Sequence, residues 1–136
     1  MRTLLCSIAF LFILLPATAQ DYKARVQVKH TGDDRVGNSF AYEIREKFRK
    51  SSAFDLKSEY PRLTITLTTI STGDMSVTTT YSVVWTFDAG PNKCRYFVNN
   101  EVGSIGNKRL KSTARGIIAA TDEIRRDLKK IVQSTD

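Results

Sequence analysis

The sequence predicts an α+β two-layer sandwich, β-α-β-β-β-β-α, with one four- or five-stranded mixed sheet and two helices on one face. Three patterns predict it. Residues 22–29 alternate strictly between apolar and polar side chains. Directly afterwards Val36, Phe40, Ile44 and Phe48 recur every fourth residue, the period of a helix with one apolar face. A second stripe runs through Leu110, Ala114, Ile117, Thr121, Ile124, Leu128 and Ile131 at spacings of four and three.

The first strand places Tyr22, Ala24, Val26 and Val28 on one side and Lys23, Arg25, Gln27 and Lys29 on the other. Thr31-Gly32-Asp33-Asp34 is a turn, with Asp33 expected to cap the helix and Asp34 to meet its positive end. The helix then runs to about Ser51. Gly37 and Ala41 on its apolar side permit close approach to a sheet. On its wet face Glu43–Lys47 and Glu46–Lys50 are i,i+4 pairs worth a few tenths of a kcal/mol each.

Phe54-Asp55-Leu56 reads as a short strand, and Pro61 redirects the chain. Leu63–Leu67 and Met75–Phe87 are alternating strands joined through Ser71-Thr72-Gly73-Asp74, which describes an antiparallel hairpin. On the second strand Met75, Val77, Tyr81, Val83, Trp85 and Phe87 share the core face. A turn at residues 88–92 leads to a shorter strand around Arg95–Val98, and Gly103 and Gly106 punctuate a loop. The last helix is expected from Lys108 to about Val132, about 37 Å long.

The N-terminus has its own signature. Arg2 precedes an apolar run, Leu4–Leu15, and then Ala17-Thr18-Ala19. That is the layout of a cleaved export signal over residues 1–19, and the run is shorter than the about 20 apolar residues of a membrane span. Cleavage near Ala19 leaves residues 20–136 as a single domain, periplasmic or secreted. Of the two cysteines, Cys6 departs with the leader, so Cys94 has no intrachain partner and is expected to be packed and inert, the alternative being an intermolecular disulfide.

Of 136 residues, 21 are Lys or Arg and 14 are Asp or Glu, a formal net charge of +7. Such a balance suits either plain solubility or an anionic partner. His30 is the single histidine, so acid–base chemistry would have to be built on it, and a strand-end position in solvent is the simpler expectation. Gly103-Ser104-Ile105-Gly106 reads as a turn, not a nucleophile elbow. One histidine, one mature cysteine and scattered acids supply no evident metal set, and no phosphate-cradling glycine loop is present. No catalytic, metal or cofactor residue is therefore assigned.

Two surfaces remain as binding candidates. One is basic: Lys23, Arg25 and Lys29 on the first strand, with Arg125, Arg126, Lys129 and Lys130 near the end of the last helix. The other is a threonine face made by Thr64, Thr66, Thr68, Thr78 and Thr80, suited either to an ordinary exposed strand face or to strand addition by a partner. Nucleic acid is disfavoured, because Tyr81, Trp85 and Phe87 face the core and do not interleave with the basic residues.

The run Val36-Gly37-Asn38-Ser39-Phe40-Ala41-Tyr42-Glu43-Ile44-Arg45, followed by Phe54-Asp55-Leu56, resembles the first half of bacterial envelope accessory domains. These are domains of the curli-secretion lipoprotein, penicillin-binding-protein activator and Tol translocation N-terminal type. The resemblance is one of layout over residues 22–70, and the chain departs from it in having no lipidated cysteine. It implies an envelope protein partner. The expectation is an exported, non-catalytic binding protein of the cell envelope acting through protein–protein contacts, as a monomer or homodimer. The alternatives are a binder of an anionic polymer or lipid surface and, last, a small hydrolase centred on His30.

Overall fold

The computed structural model describes residues 23–72 and 77–133. The expected leader at residues 1–19, Tyr22, and the turn residues Gly73 to Ser76 lie outside the described residues. So do the side chains of Ile131 and Val132.

The elements follow the predicted order: β1 (Ala24–Thr31), α1 (Arg35–Arg49), β2 (Phe54–Leu56), β3 (Arg62–Thr72), β4 (Thr78–Asp88), β5 (Arg95–Gly106) and α2 (Leu110–Gln133), the last entered through a 3₁₀ turn at Asn107–Arg109. The sheet order is β2-β1-β3-β4-β5. β1 is parallel to both β2 and β3, and β3, β4 and β5 form an antiparallel meander. The fold is the predicted α+β sandwich with a mixed five-stranded sheet.

Register assigns the faces. Val26 lies beside Leu63, Leu63 beside Phe87, Ile65 beside Trp85 and Leu67 beside Val83. These side chains point to the helices, with Phe40, Ile44 and Phe48 of α1 and Ala114, Ile117 and Ile124 of α2 buried against them. The Phe40 ring meets Tyr81 at 5.1 Å, and Trp85 Nε1 donates to Thr121 Oγ1 at 2.8 Å. Both helices therefore cover the same side of the sheet. Thr121, the one hydroxyl in the apolar stripe of α2, is there to receive the indole N–H, and its own proton goes to Ile117 O.

The α1 cap differs from expectation by one residue. Asp34, not Asp33, is the N-cap, its Oδ1 accepting the Gly37 N–H at 2.6 Å. Gly32 has φ +145°, which makes the turn tight enough to bring Asp34 to the helix start. Gly37 lies flat against β3, where an added Cβ would run into Thr69 Oγ1 and Asp34 Oδ2. Gly37→Ala is expected to lose about 1–3 kcal/mol by overpacking, although alanine is the better helix former. Urea denaturation checks it.

The largest correction concerns β5. It continues to Gly106 for twelve residues, instead of ending at Val98. Gly103 is a strand residue, bare because the Tyr81 ring occupies the space: a Cβ there would sit 2.7 Å from Tyr81 Oη. The register slips between Trp85 and Thr86, so Val98 is an extra residue and packs toward the core. Val77 is 54% exposed and not part of the core.

Candidate functional site

The face of the sheet away from the helices is uncovered. Along β3 it presents Thr64, Thr66, Thr68 and Ile70; along β4, Thr78, Thr80, Ser82, Val84 and Thr86; along β5, Phe97, Asn100, Val102 and Ser104. Thr68 and Thr78 are exposed, and Thr66 and Thr80 half-buried. Thr64 is not available to a partner: it is fully buried, and its hydroxyl donates to Asp88 Oδ2 at 2.9 Å. Thr78 Oγ1 bonds Thr72 O at 2.7 Å and Thr80 Oγ1 lies 3.2 Å from Ser104 Oγ, so these hydroxyls serve the sheet itself.

The apolar part of this face escaped the sequence reading. Ile70, Phe97 and Val102 are each about two-thirds exposed. Phe97 and Val102 belong to β5, the edge strand, whose outer backbone groups have no ladder partner among the described strands; Ile70 lies on β3, across β4 from them. A long edge with exposed apolar residues is a template for another chain. The stretch gave no alternating signal, because Val102 and Ile105 fall on opposite faces of the strand and Gly103 and Gly106 read as breakers.

Across one end of the open face runs a rung of charge. Asp55 lies beside Arg25, Arg62 beside Asp88 and Asp88 beside Arg95. Arg62 and Asp88 are 8% and 3% exposed. Asp88 Oδ2 accepts from Arg62 Nε at 3.3 Å, and its Oδ1 from Arg95 Nε at 2.6 Å. Arg62 also donates to Ser58 O and lies 4.2 Å from the centre of the Tyr60 ring. Burial favours the neutral acid, but the bonds from Arg95, Thr64 and Arg62 outweigh it and hold the Asp88 carboxyl below the usual range.

The predicted basic set gathers mainly at that same end. Arg25 and Arg125 meet around a small cavity of about 130 Å³, lined also by Ala24, Pro61, Arg62, Leu63, Phe87 and Leu128. Lys23 immediately precedes β1, and Arg126, Lys129 and Lys130 continue α2 past the cavity. Lys29 is four residues beyond Arg25 along β1, toward its opposite end. Several of these cations are already held: Arg125 and Arg126 by Asp122, Lys130 by Asp127, and Arg25 by Tyr60 O at 2.6 Å.

His30 is not a free strand-end side chain. Its Nε2 is 2.9 Å from Thr69 Oγ1. Desolvation and the nearby Arg45 charge lower its pKa, against the opposing pull of Asp34. Burial disfavours the Asp34 anion, yet the Gly37 N–H, the Thr69 and Thr79 hydroxyls and His30 bring its pKa down. The group has the ingredients of a proton relay. However, Thr69 is only 5% exposed and Asp34 is committed to capping α1, so the arrangement braces the helix start against β3 and β4. Cys94, expected to be packed, is exposed in the turn before β5.

No family model matches the chain, and no curated protein matches it. Among solved structures, a hypothetical protein of Chlamydia trachomatis is similar over 61% of this chain and 72% of its own, with 10% identity and a TM-score of 0.38.

Proposed function

We propose that the protein is an exported, non-catalytic binding protein of the bacterial cell envelope, working through protein–protein contacts made by its open sheet face and β5. The observation that carries this reading is the twelve-residue edge strand that itself exposes Phe97 and Val102 on the open face. A partner strand laid on β5 satisfies its outer backbone groups and packs beside these two side chains. The layout resemblance of residues 22–70 to envelope accessory domains and the export signature at residues 1–19 support the reading of its compartment.

The test is retention of an envelope protein on immobilised wild type and on the Phe97→Asp, Val102→Lys double variant. Saturable retention by the wild type and its loss in the folded variant is the expected result. Equal retention by both, or no saturable retention by either, overturns the reading.

A second reading, a binder of an anionic surface or polymer, is favoured by the convergence of Lys23, Arg25, Arg125, Arg126, Lys129 and Lys130 at one end of the sheet. It predicts retention on an anionic support that falls steeply between low and moderate salt, whereas a strand-addition contact is nearly salt-independent.

A further inference from the structure

We infer that the cavity at the basic end of the sheet is a binding site for a small apolar carboxylate. This proposal stands apart from the β5 contact and survives its failure. The space of about 130 Å³ is formed where β1 and β3 begin, β4 ends, and the last turns of α2 pass over. Its walls are Ala24, Pro61, Leu63, Phe87 and Leu128, so its interior accepts a hydrocarbon body. An apolar cavity of roughly 150 Å³ holds one benzene ring, which sets the size of the guest.

The surroundings choose the sign of its charge. Arg25, Arg62 and Arg125 all line the cavity. Their carboxylate partners are shared: Asp88 serves both Arg62 and Arg95, Asp122 serves both Arg125 and Arg126, and Glu59 lies 4.0 Å from Arg25. With Asp55, which lies beside Arg25, these five guanidinium ions share four carboxylates, an excess of one positive charge near an apolar hole that Arg25, Arg62 and Arg125 line. Arg25 and Arg125 are partly exposed, with side chains 30% and 28% accessible. Each guanidinium has five N–H donors and is suited to a carboxylate that arrives with its apolar end buried. A neutral guest of the same shape leaves the excess charge unanswered.

The experiment is a titration of the purified protein with benzoate, benzamide and acetate, followed by heteronuclear NMR. Benzoate is expected to cause saturable shifts at Ala24, Leu63 and Leu128. Benzamide, which keeps the ring, and acetate, which keeps the charge, are each expected to bind at least about tenfold more weakly. Leu128→Trp, which fills the cavity, is expected to abolish the shifts while circular dichroism stays unchanged. Arg125→Gln is the second variant, expected to bring benzoate down to the level of benzamide. Absence of saturable shifts with benzoate overturns the proposal. So does equal binding of benzamide, or benzoate binding that both variants leave intact.

Discussion

Asp88→Asn is expected to destabilise the protein by about 3–5 kcal/mol, measured by urea denaturation at neutral pH. The substitution keeps the shape and removes the charge, which leaves Arg62 buried with no counter-ion. Arg62 at 8% exposure cannot turn to water, and the hydroxyl of Thr64 loses its anionic acceptor. The control is Asp127→Asn, which breaks the exposed pair with Lys130 and is expected to cost no more than about 1 kcal/mol. A similar loss in both variants contradicts the buried rung.

The same carboxylate makes a pH prediction. Its folded pKa lies below the ordinary value of 3.8, so its stabilisation is complete above that value. It is lost as pH falls through the folded pKa, because the folded state must then accept a proton it resists. Wild type is therefore expected to lose stability in that acid window, and Asp88→Asn to show a shallower dependence there.

Trp85→Ala carries the second large effect. Trp85 is fully buried in the core and donates its indole N–H to Thr121 of α2. Truncation leaves a cavity beneath α2 and an unanswered Thr121 hydroxyl, at about 3–5 kcal/mol. Trp85 is the one tryptophan of the chain, so unfolding has to be followed by far-UV circular dichroism. Phe97→Ala provides the contrast. That ring is 67% exposed, and its removal is expected to change stability by about 0.5 kcal/mol at most. A Phe97→Ala cost near that of Trp85→Ala places Phe97 in the core and removes it from the proposed contact face.

Sequence by itself determined the order of the elements and the faces of the helices. Each apolar period of α1 and α2 is local: Val36, Phe40, Ile44 and Phe48 must share a side in any helix, whatever they pack on. The β4 alternation likewise committed Tyr81, Val83 and Trp85 to one face. The basic candidates were legible as residues but not as a site, since Arg25 and Arg125 are a hundred positions apart.

Tertiary structure decided the rest, because the deciding neighbours are distant in the chain. Gly103 reads locally as a breaker, and becomes a strand residue once the Tyr81 ring takes the place of its side chain. Thr64 reads as surface, and is buried because Asp88 and Arg62 close over it from the adjoining register positions. Strand order belongs here too: that β3 is central, that β5 is an edge, and that the ends of β1, β3, β4 and α2 enclose one cavity are consequences of packing. A period states which side chains agree with each other; only the assembled layers state what they agree to face.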